Sequence, residues 1–287
     1  MDTHAPDFEE PRADPVPPGR AAESPGRAAA PTPHGLRERL GEIVGRLLAP
    51  AIHAIARLRG SRMFHPVGHT FSGRATAVPG PLGSIGEQLA GRVLARCSPA
   101  LSKTGREWLE VLGIALRFRP GGGPPLDHHA TLGDQDLLFA TVSSPLLLLA
   151  APLLTDAHDF VRSRYWATAP FVVHGHGRVE LRLVPALPAA GAADTPAPGA
   201  DAGSREARLR AAVAAGRAAW WLEARPTLTL DWHPVARIEL AAPAAVDVVD
   251  DDALRFDPFR AGAGLVPVGF VHAIRRAAYA ASQRARR

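Results

Sequence analysis

Asparagine is absent from the 287 residues, and cysteine occurs once. The first absence means that no site in this chain can use an asparagine amide as a positioned donor. Cys97, standing alone, excludes an intramolecular disulfide framework and a paired-cysteine metal site, and it fits a reducing cytoplasm. Long apolar runs are missing too. The longest, Pro145 to Leu154, is ten residues and is closed by Thr155 and Asp156, against the ~20 that a membrane helix needs. Met1 to Glu10 is acidic and lacks the charged start and apolar core of a secretory signal. No Gly-x-x-x-x-Gly-Lys phosphate cradle and no Gly-x-Ser-x-Gly nucleophile elbow occurs. ATP hydrolysis and esterase chemistry have no support.

What the chain does contain is positive charge, carried almost entirely by arginine. The 33 basic and 28 acidic residues leave a formal +5 and a pI near 10.4. The arginines are scattered, without an aromatic-interleaved stripe and without a zinc-finger or RNA-binding signature, so nucleic acid is not an expected partner. A 30.3 kDa chain can bury one sizeable core. One domain is therefore expected, with two preceding segments. Residues 1–33 are rich in Pro, Ala, Gly and charge and are expected to be disordered. Residues 34–59 form an amphipathic helix: Leu36, Leu40, Ile43, Leu47, Ala51, Ile55 and Leu58 recur at helical spacing opposite Arg37, Glu38, Arg39 and Glu42. Such a face can rest on a membrane surface or a partner subunit, or pack against the chain's own core. We adopt the last.

From Phe71 onward the pattern is of short strands and turns. Phe171 to Val184 alternates around a hairpin turn at Gly175 and Gly177, and Arg205 to Ala219 has a helical composition. Trp220, Trp221, Leu228, Leu230 and Trp232 suggest further strands, and 188–204 reads as an exposed loop. Other candidate sites have cheaper readings as loops. His174 and His176 share a strand face without a third ligand, His128 and His129 follow a Gly-Pro stretch, and Asp247, Asp250, Asp251 and Asp252 lack the glycine and terminal glutamate of a calcium loop.

The C-terminal stretch RRAAYAASQRAR carries the most specific signal. Arg275 and Tyr279 are four positions apart, one above the other on a helix. A phenol, with a reference pKa near ~10, binds iron as the anion only where metal and a nearby cation stabilise the charge. Arg275 can supply that cation. Tyr279 is followed by Ser282, Gln283, Arg284 and Arg286, and preceded by Phe256-Asp257-Pro258, Gly264-Leu265 and Pro267. This arrangement resembles the proximal heme segment of the heme-dependent catalase-like superfamily, with one residue deleted between Pro267 and Arg275.

The likeness extends upstream in order. Arg62-Met63-Phe64-His65-Pro66-Val67-Gly68 is similar to the segment bearing that family's distal histidine, and Arg96-Cys97-Ser98-Pro99 to its Arg-Phe-Ser-Thr. Gly113 to Phe118, Gly133 to Leu138, Ser144-Pro145, Ala214 to Arg217 and Trp221 resemble further family motifs. The resemblance implies an α+β fold in which an antiparallel β-barrel of the catalase-like type, with packed helices, occupies residues 60–287 and binds heme b. It implies Tyr279 as iron ligand, Arg275 tuning it, and His65 as proton shuttle. Arg62, Arg96, Ser98 and Arg286 would hold the cofactor. The chain ends eight residues after Tyr279, before the further helices of catalases, which implies a core-only member.

Two departures bear on activity. The distal asparagine of catalases is absent, and its place falls near Val142 in Thr141-Val142-Ser143-Ser144-Pro145. Ser143, or Thr141, would be the hydroxyl donor in its stead, where loss of a positioned donor costs ~10²-fold or more in rate. Leu146 to Leu149 replace the family's aromatic pair, a greasier edge that suits a lipid hydroperoxide, although strand packing accounts for the leucines equally well. The expected function is reduction of hydrogen peroxide or organic hydroperoxides. The alternatives are allene-oxide-synthase-like isomerisation of a fatty hydroperoxide, and a non-catalytic barrel that holds heme or lipid. Homo-oligomer formation is left open by the sequence.

Overall fold

Alternating side chains build the wall of a closed barrel. In a computed structural model, residues 68–100, 107, 110–142, 158–186, 203–243 and 253–269 are described. Strand β1 (His69–Ala77) leads through helix α1 (Gly83–Leu89) to β2 (Gly91–Pro99), β3 (Leu112–Pro120), β4 (Gln135–Ala140) and β5 (Tyr165–Ala167). A hairpin of β6 (Phe171–Val173) and β7 (Gly177–Pro185) follows, then helix α2 (Arg205–Ala214), β8 (Ala219–Pro226), β9 (His233–Pro243) and the short β10 (Val266–Pro267). Pairing runs β1-β2-β3-β4-β5-β7-β8-β9 and returns from β9 to β1, all antiparallel, closing an eight-stranded barrel. Strands β6 and β10 extend the sheet beside β7. The fold is α+β.

Period-2 alternation sends Val93, Ala95 and Cys97 of β2, Leu112, Ile114, Leu116 and Phe118 of β3, and Trp220, Leu222 and Ala224 of β8 into one core. Eight strands leave an interior that side chains just fill, and here Trp220, Tyr165, Phe71 and Phe118 are all essentially without exposure. The Tyr165 hydroxyl donates to the Phe160 carbonyl at 2.7 Å. Burial pushes its pKa well above the usual tyrosine range. A bulge between Ser72 and Gly73 bends β1 where Gly73 meets β9 so closely that a Cβ would sit 2.3 Å from the Glu239 carbonyl oxygen.

Helix α1 was not legible in the sequence. It seals the barrel end at which β1 finishes and β2 and β9 begin, with Ile85 and Leu89 in the core. Its Gly86 lies against the Val235 carbonyl, 1.7 Å from where a Cβ would be. Helix α2 is shorter than its composition suggests. Ser204 caps its start by accepting from the Ala207 N–H at 3.3 Å, and Gly216, at φ 66, ends it. The residues beyond turn into β8. The expected hairpin is present, with Gly175 at φ 79 and Gly177 at φ 67 in its turn. Leu228 and Leu230 were expected in a strand. They instead lie on the exposed turn between β8 and β9. No helix among the described residues is long and apolar enough to cross a membrane. The expected tail at 1–33 and amphipathic helix at 34–59 lie outside the described residues.

Candidate functional site

With the interior filled, a ligand as large as a macrocycle would have to rest outside the wall. The outer faces of β2, β3 and β4 differ from an ordinary solvated sheet face. Register aligns them in four rows: Ser98, Gly113 and Ala140; Arg96, Ala115 and Leu138; Leu94, Arg117 and Asp136; Arg92 and Arg119 beside Asp134. The last two rows are roofed by a strap, residues 253–269, and by the long β3–β4 connection.

The roof is held by buried charge. Arg117 forks onto Asp136, with Nε and Nη2 donating at 2.9 and 3.1 Å, and also donates to the Arg255 carbonyl. Asp136 accepts in addition from Arg260 Nη1 and the Asp257 N–H, both at 2.8 Å. Burial pushes the Asp136 carboxyl up, and the guanidiniums of Arg117 and Arg260 and the Asp257 N–H oppose that shift. A second fork joins Arg119 to Asp134 at 2.8 and 2.9 Å. Burial also raises Asp134, but the hydrogen bonds from Arg119 and Thr131 outweigh it and hold the carboxyl below its usual range. Gln135 Nε2 donates to the carbonyls of Arg260 at 2.8 Å and Leu265 at 3.2 Å. Leu94 packs with Leu126, Leu254 and Phe256.

The upper two rows form a tray at the other barrel end. Gly113, Ala115 and Ala140 present almost no side chain, and Arg96 and Ser98 flank them, 5% and 4% exposed. Gly68, where the described chain begins, lies across the Arg96 guanidinium: a Cβ there would come within 2.3 Å of its central carbon. Strand β4 ends in the first of these rows at Ala140, and Thr141 and Val142 follow it. The buried Arg96 guanidinium and the Ser98 hydroxyl are the polar groups beside these small outward residues.

Of the sequence-predicted site residues, Arg96 and Ser98 are described and share one face of β2. His65, Arg62, Ser143, Arg275, Tyr279 and Arg286 lie outside the described residues. The Thr141 hydroxyl accepts from the Leu112 N–H at 3.1 Å and so is occupied with the β3 backbone, and Val142 packs against Ala100 and Val111. Cys97, pointing inward between Arg96 and Ser98, is fully buried, and desolvation pushes its thiol up to about 12 despite Arg96. Arg117 and Asp136 fall within the Gly113–Phe118 and Gly133–Leu138 segments, and nothing in their alternation signals that they are covered and paired.

No family model matches the chain, and no curated protein matches it. Among the described residues no group of three or more His, Cys, Asp or Glu could hold a metal ion.

Proposed function

We propose that this chain is a heme-dependent hydroperoxide-processing protein built on a catalase-like barrel, which reduces hydrogen peroxide or organic hydroperoxides. One observation carries the reading. Gly68, three residues after His65 in the sequence, lies against Arg96, and β4 ends at Ala140, three residues before Ser143, in the row of Ser98 and Gly113. These segments were singled out by likeness to one family's heme site, and they are far apart in the chain. The closeness of their described neighbours supports a shared site.

In this reading Arg62, Arg96 and Arg286 would hold the carboxylates of heme b, with Ser98 two residues from Arg96 on the same face, and Tyr279 would ligate the iron. The chemistry that heme b supplies when bound is redox at a ferric iron. Arg275 keeps the Tyr279 phenol ionised by placing a cation beside it. Neutral His65 would move a proton from the near peroxide oxygen to the leaving oxygen, which departs as water or an alcohol, and net reduction would draw two electrons from a second peroxide molecule or an external organic reductant. Ser143 donates a hydrogen bond to the substrate, with Thr141 already engaged. A hydroxyl on a short side chain positions charge less well than an amide, so hydrogen peroxide turnover is expected to be slow.

The test is turnover of hydrogen peroxide, cumene hydroperoxide and a fatty-acid hydroperoxide by the heme-loaded chain and its His65→Ala variant. The reading expects a loss of about 10²-fold or more in the variant, with products of reduction. An epoxide product from the fatty substrate would support the isomerase alternative. No turnover by the heme-loaded parent would leave a carrier.

A further inference from the structure

Three arginines stand abreast on the outer wall toward the barrel end that α1 seals. Register sets Arg74 of β1 directly opposite Arg92 of β2, and Arg92 directly opposite Arg119 of β3. Cross-strand partners lie about 5 Å apart at Cα, and like charges so placed destabilise a sheet unless something neutralises them. Arg119 has its counterion in the Asp134 fork. Arg74 and Arg92 have none: both are exposed, and neither forms an ion pair among the described residues.

The carboxylates of the surrounding elements are committed elsewhere. Glu239 of β9 is the register partner of Arg74 on its other side, yet it closes on Arg237 of its own strand at 2.9 Å. Asp136 serves Arg117 and Arg260. In the β3–β4 connection Asp127 accepts from the His129 N–H at 2.7 Å, and in the strap Asp257 accepts from the Phe259 N–H at 2.9 Å. The strap adds one more cation, Arg255, which donates to the Leu254 carbonyl. Glu87 of α1 is exposed and pairs with neither arginine. One of the two guanidiniums is already held in place. Arg92 Nε donates to the Gly123 carbonyl at 2.9 Å, and among the described residues its two terminal nitrogens have no partner. Gly121, Gly122 and Gly123 lay no side chain over it, and at the first two a Cβ would meet nothing within 4 Å.

We propose that Arg74 and Arg92 form a binding site for a phosphate monoester. Such a group carries about −1.5 to −2 charges at pH 7 and three acceptor oxygens. It therefore cancels the charge of the opposed pair and accepts from both guanidiniums at once, whose planar forks suit phosphate oxygens. A carboxylate brings one negative charge and leaves the pair half neutralised. The row of Glu239, Arg74, Arg92 and Arg119 holds no aromatic ring on which a base could stack, so the phosphate group itself is what is recognised. Arg92 stands at the other end of β2 from Arg96 and Ser98, and the site is independent of heme.

The test is calorimetric titration of the full chain with phenyl phosphate at fixed ionic strength, with benzoate as the monoanionic control, beside melting curves with and without phenyl phosphate. Arg74→Gln, Arg92→Gln and the double variant are compared with Arg237→Gln, whose guanidinium already has Glu239. The expected result is saturable binding of phenyl phosphate by the parent, about tenfold weaker in each of the first two variants, lost in the double variant and changed less than about twofold in Arg237→Gln. Phenyl phosphate should raise the melting temperature of the parent and not of the double variant. Without ligand the double variant should melt no lower than the parent, since it relieves a repulsion, and that separates lost binding from lost folding. Absence of saturable binding by the parent would overturn the proposal. Equal weakening in Arg237→Gln, or benzoate binding as tight as phenyl phosphate, would reduce the effect to general positive charge and overturn it as well. Binding of a DNA oligonucleotide without binding of phenyl phosphate would assign the arginines to a nucleic-acid backbone instead.

Discussion

Asp136 is the residue on which the outer face of the barrel depends. It accepts hydrogen bonds from Arg117, Arg260 and the Asp257 N–H while fully enclosed. Removing one partner of such a group leaves buried charge uncompensated, so Asp136→Ala is expected to cost about 3–5 kcal/mol, measured by urea unfolding. Asp134 makes a pH statement. Its folded-state pKa is depressed, so its stabilisation is present above the unfolded carboxylate pKa of about 4 and is lost as pH falls below that value. Asp134→Asn should therefore be less stable at neutral pH and flatter in stability between about pH 5 and 2. Cys97, raised to about 12 by burial, should resist a thiol reagent at pH 8 until the chain unfolds, and prompt labelling of the native protein would contradict the burial. None of these three roles was legible in the sequence. Alternation marks Arg117, Asp134 and Asp136 as outward and hence solvated, because it cannot see that a strap more than a hundred residues later covers them.

Among the elements, the strap does most to cover the outer wall, and it has almost no regular structure of its own. Its position is set by close backbone approach: at Gly262 a Cβ would lie 2.4 Å from the Leu132 carbonyl oxygen and 2.5 Å from that of Asp134. Gly262→Ala should cost about 1–3 kcal/mol and increase proteolysis within 253–269, since the strap must lift from the β3–β4 connection. The motif order already marked Phe256-Asp257-Pro258, and the structure gives that mark a physical content in the Asp257 N–H and the Phe256 packing. The β6–β7 hairpin was legible from alternation and two glycines. Helix α1 was not, because seven residues with two glycines carry too little periodicity. Helix α2 was drawn too long because alanines continue past Gly216, where the left-handed backbone stops it. Leucines at 228 and 230 imitate strand alternation, and only the turn geometry separates them from it.

At the scale of the whole molecule, the proposal seats heme b against the outer rows of Gly113, Ala115 and Ala140 beside Arg96 and Ser98. Tyr165 and Tyr279 are the two tyrosines of the chain. Tyr165 is closed inside the barrel with its hydroxyl donating to Phe160, so the proposal assigns the phenolate ligand to Tyr279. The most direct measurement is the absorption spectrum of the full chain reconstituted with heme, beside its Tyr279→Phe and Tyr165→Phe variants. The account expects a ferric tyrosinate spectrum in the parent, retained in Tyr165→Phe and lost in Tyr279→Phe. A Soret band absent from the parent, or one unchanged by Tyr279→Phe, would contradict it.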